Sequence, residues 1–481
     1  MKTEFYIFLA FVSLFFLLIL IAIIRTFFTG NSLSKPVKKD ISLEFQLKYA
    51  KGLQKLIQIK TISNRENTNL NSFEDLQKVI THLFPLIHLN LEQTKFDDGS
   101  FIYKWIGTTH NYPILLMAHQ DVVPVDELNW KHTPFSGVIE HDTIIGRGTI
   151  DTKSTLYAIF QAVEELLSEN FVPSVDIYLA SSSNEEVSGN GAKITVDWLA
   201  NQNIILSLVL DEGGVIVENA FPSMKKEMAL VGVLEKGYVN LLFKAKSNGG
   251  HSSIPSRHSP IARLSEFVMH IERKFPLKTK MINEVKIMFE IASSSMSFWY
   301  RFIFGNMWLF KGFLTKILPS FSPYGRAFLS TTIAFTMSKG SDQENVIPSE
   351  AYLLANLRTH PIQGIQDSVA VLTKIAKKYD IECEIMNGRE ASPITDINSA
   401  GYIYLTKQIQ TSFPDVLISP YIVLGGTDAR HYRSISDSIL RFSPLRVSQA
   451  ELQSIHGNDE RLKLSSLAQA VKFYEDFMRN Y

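Results

Sequence analysis

The amino-acid sequence predicts an α/β fold in which a mixed, partly parallel sheet is flanked by helices. The first observation is that apolar runs typical of buried strands alternate with helical stretches, as residues 112–117, 156–167 and Val175–Ser181 do in succession. The second is the length of 481 residues, which suggests two or three domains. The third is a change of pattern after about Gly232, which indicates a smaller α/β domain inserted into the first.

The composition excludes several classes of protein. The 48 Lys and Arg residues balance 48 Asp and Glu residues, so the chain lacks the basic excess of a nucleic-acid binder. Hydrophobic residues make up 45% and charged residues 20%, which is typical of a globular chain rather than a disordered one. The single cysteine, Cys383, excludes an intrachain disulfide and a cysteine-rich zinc site. Any metal must therefore be held by His, Asp and Glu.

The chain begins with a long apolar run. Residues 5–24 contain no charge, Gly or Pro, and as a helix they reach about 30 Å, enough to cross a bilayer. Arg25, Thr26 and two phenylalanines follow, instead of the small residues of a cleavage site. The run therefore predicts an N-terminal transmembrane helix that acts as a single-pass membrane anchor. A cleaved signal and a buried soluble helix are the alternatives.

The charges beside this run leave its orientation open. Lys2 precedes the run, whereas Arg25, Lys35, Lys38 and Lys39 follow it, and a positive-inside count keeps the large domain in the cytoplasm. Long domains are translocated largely regardless of such charges. We expect an extracytoplasmic main domain, periplasmic or lumenal. The sequence has no Asn-x-Ser/Thr sequon and gives no support to a glycosylated secreted protein.

The patterns divide the chain into five segments. They are an anchor or signal segment (1–29), a polar linker (30–43), the first part of the main domain (44–231), the inserted domain (232–361) and the second part of the main domain (362–481).

Acidic residues or histidines follow apolar runs in several places. These residues are His119, Asp121, Asp151, Glu185, Glu186, Asp211 and, far downstream, His456. Taken singly, each segment is more typical of a surface pair or a turn. Functional groups collect at the carboxyl ends of strands, and so many carboxylates at one edge need a counter-ion. Mixed N and O ligands suit zinc, with cobalt or manganese as substitutes, and their number is about what two metals need.

These motifs resemble those of the di-zinc metallopeptidases, the family that includes aminoacylase, carboxypeptidase S, succinyl-diaminopimelate desuccinylase and glutamate carboxypeptidase. From about Phe45 to the C-terminus, the family's motifs occur in the family's order: LLMAHQDVVPV, GRGTIDTKS, NEEVSGNGA, VLDEGG, GGHSS, ENVIP, NLRTHP, GGTDAR and IHGNDE. The branch of carboxypeptidase S and of the N-fatty-acyl-amino-acid synthase/hydrolases is the most similar.

The resemblance implies a set of metal ligands. His119 and Asp211 would bind one zinc ion, whereas His456 and Glu186 would bind the other. Asp151 would bridge the two ions. None of the family's ligand positions is substituted, so the resemblance implies an active enzyme.

The resemblance also implies catalytic and substrate-binding residues. Glu185 would be the general base, and Asp121 would fix the tautomer of the first zinc-binding histidine. His251, from the inserted domain and often from a neighbouring subunit, would donate to the oxyanion. Arg358 and Asn345 would hold the free carboxylate of the substrate.

The activity that the resemblance implies is hydrolysis of an amide bond by a metal-activated water. The substrate would be a short peptide, cleaved as by a carboxypeptidase, or an N-acyl amino acid. A biosynthetic deacylase, such as a desuccinylase, and a non-catalytic membrane-bound binding protein with a relic site are the alternatives. The inserted domain would act as a lid and as the interface of a possible homodimer.

Aromatic side chains are concentrated in residues 297–318, which include three phenylalanines between Phe298 and Phe304 and the tryptophans Trp299 and Trp308. One interpretation is a helix pair packed within the inserted domain. The other is a hydrophobic wall that receives a long acyl chain or touches the bilayer.

Overall fold

The computed structural model describes residues 2–29, 41–65 and 68–481. Most of the predicted linker, residues 30–40, lies outside the described residues. The α-helices of the described chain are α1 (Lys2–Phe28), α2 (Leu43–Ile57), α3 (Leu70–Leu83), α4 (Pro85–Asn90), α5 (Lys153–Ser168), α6 (Gly191–Asn201), α7 (Pro260–Arg273), α8 (Asn283–Ser293), α9 (Phe298–Phe304), α10 (Met307–Phe321), α11 (Pro323–Leu329), α12 (Ile365–Ala376), α13 (Ala400–Ser412), α14 (Gln449–Ser454) and α15 (Leu464–Arg479).

The strands of the described chain are β1 (Glu92–Lys95), β2 (Phe101–Trp105), β3 (Thr109–Met117), β4 (Val138–Glu140), β5 (Thr143–Ile145), β6 (Val175–Ser181), β7 (Leu208–Asp211), β8 (Ile216–Val217), β9 (Met228–Glu235), β10 (Gly237–Lys246), β11 (Gly250–His251), β12 (Thr332–Lys339), β13 (Val346–Ile347), β14 (Glu350–Thr359), β15 (Glu382–Arg389), β16 (Leu417–Val423), β17 (Ile439–Arg441), β18 (Arg446–Val447) and β19 (Arg461–Lys463).

The main domain is built on a ten-stranded sheet in the order β1-β2-β6-β3-β7-β17-β9-β8-β18, with β16 beside β9. Its central strands β6, β3, β7 and β17 are parallel to one another, whereas β2 is antiparallel to β6. Helices α2, α5 and α15 bury apolar side chains with these strands in the main core. The predicted mixed, partly parallel α/β fold is confirmed. Because parallel strands end at the same edge, this topology gathers the residues that follow them.

The inserted domain has a four-stranded antiparallel sheet, β12-β14-β10-β15, which is packed against α7 and α12. Strands β11 and β13 form a separate two-stranded ribbon. The bounds of 232–361 stay a prediction, and the strands of the small sheet extend over a different range. Gly232 lies within β9 of the large sheet, and β15 pairs with β10 along its length, so the small sheet runs from Gly237 to Arg389.

The aromatic stretch forms the two helices α9 and α10, as one interpretation expected. These helices do not pack in the core of the small sheet, however. Helices α8 to α11 instead pack beside β9 and β16 of the large sheet. Met288, Met307 and Leu314 from these helices share a third core with Leu417 and Ile422 of β16. The chain thus leaves the small domain after α7, packs these helices against the large sheet and returns to the small sheet in β12.

Helix α1 is 27 residues long and apolar nearly throughout, so by length and composition it is able to cross a membrane. Among its described side chains, only Ala22 and Thr26 are buried. Most of the other side chains of the helix are exposed.

Candidate active site

Four side chains from distant parts of the chain meet at one edge of the large sheet. His119 Nε2 lies 2.9 Å from Asp151 Oδ1, and His456 Nε2 lies 3.0 Å from Asp151 Oδ2. His456 Nε2 is also 3.2 Å from Glu186 Oε2. Ligand atoms of His119, Asp151 and Glu186 lie within 4.8 Å of one another, as in a metal-binding group. The two oxygens of Asp151 thus face different histidines, which is the arrangement that a bridging carboxylate needs.

The local folds explain this convergence. His119 follows β3 and Glu186 follows β6, two neighbouring parallel strands. Asp151 lies in the turn that starts α5, and His456 follows α14 with a positive φ of 59°. His119 and Glu186 reach the same sheet edge because β3 and β6 are parallel, whereas Asp151 and His456 are brought there by loops that follow β5 and α14.

Asp121 is fully buried and contacts both the ring of His119 and the backbone of the loop that carries Glu185 and Glu186. Its backbone oxygen lies 3.0 Å from His119 Nδ1, and its carboxylate oxygen Oδ1 lies 3.3 Å from the same nitrogen. The carboxylate also accepts hydrogen bonds from the backbone N–H groups of Glu185 (3.1 Å) and Glu186 (3.0 Å) and from the Ser63 hydroxyl (2.6 Å). Asp121 therefore occupies the Nδ1 side of His119, so that Nε2 is directed toward Asp151 and the other expected ligands.

Asp211 lies at the end of β7 but is oriented differently from the other expected ligands. Its Oδ1 accepts from the Glu212 N–H and its Oδ2 from the Ala429 N–H, both at 2.8 Å. Burial raises the pKa of Asp211 to about 6. The structure thus brings Asp211 to the correct sheet edge, whereas direct contacts join only the other four expected ligands.

Glu185 lies beside a cation to which the sequence patterns gave no role. Arg430 Nη1 is 3.5 Å from Glu185 Oε1, and both side chains are nearly buried. Burial, together with the nearby charge of Asp428, raises the pKa of Glu185 well above its usual value. Burial and Asp211 likewise raise the pKa of Asp428 to about 8. The GGTDAR motif was noted in the sequence, but a loop motif alone does not show which of its side chains turn inward.

A second buried ion pair, also missed from sequence, ties two loops of the cluster together. Arg147 donates to Glu460 at 2.8 Å and to the backbone oxygens of His456 (3.3 Å) and Gly457 (2.9 Å). The same Glu460 carboxylate accepts from the backbone N–H groups of residues 148, 150 and 151. The pair therefore fixes the loop of Asp151 against the loop of His456. In the sequence, the available signal was that Arg147 and Glu460 belong to the motifs GRGTIDTKS and IHGNDE.

The remaining predicted residues lie on the inserted domain. His251 and Asn345 belong to the β11–β13 region, where the Ser252 N–H donates to the Asn345 oxygen at 3.0 Å. The His251 ring accepts from the Ser253 N–H at 3.1 Å and is exposed. Arg358 lies on β14 and is exposed. Among the described residues, none of the three makes a hydrogen bond or ion pair with His119, Asp151, Glu186 or His456, which we call the metal cluster.

The chemistry of the cluster fits a metal. Oε1 of Glu186 is buried and has no hydrogen-bond partner among the described residues. Burial raises the pKa of Glu186 and Glu212, and the charge of Asp151 adds to the effect. A pocket that holds so many carboxylates favours added positive charge, which a divalent cation supplies. His and carboxylate donors are ligands that zinc accepts.

An α/β fold with His and carboxylate donors at the carboxyl ends of parallel strands, and a buried Glu beside them, defines a metal-dependent hydrolase. The model of Peptidase family M20/M25/M40 matches residues 115–480, and the chain belongs to this family. It is therefore a hydrolase of a metal-dependent family. The predicted resemblance is confirmed.

The chain has close curated relatives. It is 34% identical to "Probable carboxypeptidase S-like 2" of Dictyostelium discoideum over 90% of this chain and 85% of that protein. It is 30% identical to the N-fatty-acyl-amino acid synthase/hydrolase PM20D1 of Xenopus tropicalis over 96% of this chain and 92% of that protein.

Solved structures have the same fold. Human carnosine dipeptidase 1 superposes with a TM-score of 0.66 at 13% identity, over 91% of this chain and 96% of that one. An M20 family metallo-carboxypeptidase of Sulfolobus solfataricus superposes with a TM-score of 0.65 at 18% identity, over 90% of this chain and 98% of that one.

Proposed function

We propose that the protein hydrolyses N-acyl amino acids that carry a long apolar acyl chain. The observation that carries this proposal is an apolar cavity of about 390 Å³. Its walls include Leu230, Met288, Phe289, Phe304 and Tyr421. A cavity of this size and lining is typical of a site for an apolar ligand.

Two residues that line this cavity lie on elements next to the loops of the cluster. Leu452 lines the cavity and belongs to α14, the helix that ends just before His456. Leu230 also lines it, and its N–H donates at 3.0 Å to the oxygen of Val215, in the loop that follows Asp211. An acyl chain in this cavity would therefore extend away from a scissile amide at the metal cluster.

The residues of the chain have defined tasks in this reaction. His119, Asp151, Glu186, Asp211 and His456 would hold two zinc ions, and bound zinc supplies Lewis-acid activation of water and of the amide carbonyl. The raised pKa of Glu185 suits a group that takes a proton from the attacking water and returns it to the leaving nitrogen.

The other predicted residues act on the substrate in this proposal. The candidate partners of the substrate carboxylate are Arg430, beside Glu185, and two residues of the inserted domain, Arg358 and Asn345. His251 donates to the oxyanion once the inserted domain, of this chain or of a second copy, has closed over the site.

The proposal extends to metal identity, assembly and location. Zinc is the expected metal, with cobalt or manganese as substitutes. The inserted domain forms a homodimer interface, and α1 anchors the chain with its catalytic domain outside the cytoplasm.

A second candidate function is removal of the C-terminal residue from short peptides. The higher identity to a carboxypeptidase S-like protein favours it. The apolar cavity does not, because a short peptide leaves that cavity unfilled.

A substrate panel tests the proposal. We expect zinc-loaded protein to hydrolyse N-oleoyl amino acids with a kcat/KM at least about tenfold above that for N-acetyl amino acids or Gly-X dipeptides, because burial of each methylene stabilises the bound state by about 0.8 kcal/mol. Leu452→Gln should remove most of this preference and leave N-acetyl hydrolysis unchanged. Leu89→Gln, at an exposed position of α4, is the matched control. A preference for Gly-X or N-acetyl substrates would contradict the proposal.

A further inference from the structure

We propose that α1 is retained in the mature protein and that α9, α10 and α11 lie against the surface of a phospholipid bilayer, beside the point where α1 enters it. We call the surface formed by these three helices the bilayer face. Its occupant is the lipid bilayer itself. Three independent observations support this assignment.

The first observation is a buried polar contact between α1 and the bilayer face. The Asn306 side chain is buried and donates at 3.1 Å to the Ala22 oxygen and at 3.1 Å to the Thr26 hydroxyl. Phe27 of α1 packs against Phe298 of α9, with ring centroids 5.3 Å apart. A signal segment that is removed would leave the buried Asn306 without these partners. The contact therefore indicates that α1 is part of the folded protein.

The position of this contact along α1 fixes where the bilayer face lies. The helix from its start to Ala22 is about 30 Å long, which matches the hydrocarbon thickness of a bilayer. The residues that contact α9 and α10 come at the end of that length. The bilayer face is therefore at the level of the lipid headgroups.

The second observation is the exposure of large aromatic side chains on this face. Trp299 is 72% exposed and Trp308 46% exposed, while Phe313, Phe321 and Tyr324 are between 58% and 81% exposed. Trp and Tyr are enriched at the interface between membrane and water, because one end of each is apolar and the other polar. So many exposed aromatic rings on adjacent helices are unusual for a surface that faces only water.

The third observation is the charge of this region. Residues 291–338 contain no Asp or Glu, but they contain Arg301, Lys311, Lys316 and Arg326. Neither lysine forms an ion pair within the described part of the chain. Basic side chains among apolar ones are typical of helices that lie in the interface of anionic membranes.

The bilayer face also has a consequence for substrate access, which rests on the proposed function. Tyr300, Phe304, Leu318 and Tyr324 belong to its helices and also line the apolar cavity. An acyl chain dissolved in the membrane would therefore enter the cavity from the bilayer without crossing water.

Tryptophan fluorescence of the full chain tests the bilayer face directly. The chain has five tryptophans and α1 has none, so Trp299 and Trp308 report on this surface. Full-length protein is reconstituted into phosphatidylcholine vesicles with and without brominated acyl chains, which quench nearby tryptophans. We expect quenching of the wild-type protein and its loss in Trp299→Phe/Trp308→Phe. Trp198→Phe, a partly buried position outside this surface, should quench as the wild type does. Unquenched wild-type fluorescence, or equal quenching in the double variant, would overturn the proposal.

Two further measurements complete the test. The intact mass of membrane-extracted protein should be that of the full 54.5 kDa chain, and a shorter chain that begins beyond Thr26 would refute retention of α1. In vesicles that contain 20% phosphatidylglycerol, Trp299→Ser/Trp308→Ser should lower hydrolysis of membrane-dissolved N-oleoyl amino acid at least fivefold and leave N-acetyl hydrolysis unchanged. Failure of the wild type to hydrolyse any N-oleoyl substrate would refute the proposed function, whereas the quenching result would still decide the bilayer face.

Discussion

The metal cluster and the β11–β13 ribbon of the inserted domain differ in burial and in the number of contacts that hold their side chains in place. At the cluster, His119 and Asp121 are buried, and hydrogen bonds fix the neighbouring backbone. On the ribbon, His251 and Asn345 are exposed, and their contacts are local. The cluster is preorganised by strands and loops of the large sheet, whereas no contact among the described residues holds the ribbon over the site.

This difference suggests that the cluster binds metal and that the ribbon acts only during the reaction. Residues that hold metal must be rigid and close together, because coordination tolerates little displacement. A residue that stabilises only the transition state gains from arriving after the substrate, since closure then excludes water. We therefore expect the ribbon to complete the site by closure or from a second copy of the chain.

The largest expected effect comes from the buried base. Glu185→Gln should lower kcat by about 10³-fold or more, because the water loses the group that takes its proton. Metal content should stay at the wild-type level, as measured by elemental analysis of the purified variant. Loss of metal together with activity would mean that Glu185 belongs to the ligand set instead.

The next effect tests the ribbon. His251→Ala should lower kcat by about 10²- to 10³-fold with little change in metal content, because only the oxyanion loses a donor. A mixture of inactive His251→Ala and inactive Glu185→Gln chains should regain activity if His251 acts on the site of a second copy. Recovery is measured after unfolding and joint refolding, or after co-expression. Full activity of His251→Ala alone would remove the ribbon from the mechanism.

A smaller effect concerns the buried pair that joins the loops of Asp151 and His456. Glu460→Gln should weaken zinc binding by about 10- to 100-fold, because the variant amide cannot accept from every backbone N–H that the carboxylate now binds. Competition with a fluorescent chelator measures this affinity. Glu384→Gln, an exposed ion-paired position on β15, is the control and should bind zinc like the wild type. Unchanged affinity in Glu460→Gln would show that the cluster does not depend on this pair.

The smallest effect is the pH dependence of zinc binding. In the metal-free protein, hydrogen bonds to Asp151 and Glu186 raise the pKa of His456 to about 10, and the pKa of His119 is also raised because its carboxylate neighbours outweigh burial. A metal must displace these protons, so zinc affinity should rise with pH below about 10, by about tenfold per unit for each proton displaced. Calorimetry in buffers of different ionisation enthalpy counts the protons released. A pH-independent affinity between pH 6 and 8 would contradict this prediction.

The sequence indicated which residues meet in the cluster, but it did not indicate the charged residues that contact them. His119 and Glu186 follow apolar strands, and the rule that parallel strands end at one edge was enough to bring them together. Arg430 and Glu460 were not found, because charged residues in glycine-rich loops have no periodicity that shows which way they point. The pairing of β15 with β10 was not predicted either, since β15 returns to β10 only after a helix, and pairing of strands distant in sequence is not visible in either strand alone.

The match over residues 115–480 shows that the chain belongs to the M20 family. The central claim is that Asp151 bridges two metal ions, each of which is also bound by a histidine. The most direct test is the metal content of the full chain after equilibration with zinc and removal of free metal, for the wild type beside Asp151→Asn. We predict two zinc ions per wild-type chain and the loss of at least one of them in the variant. A folded wild-type chain that retains no zinc, or a variant that retains as much as the wild type, would contradict the account.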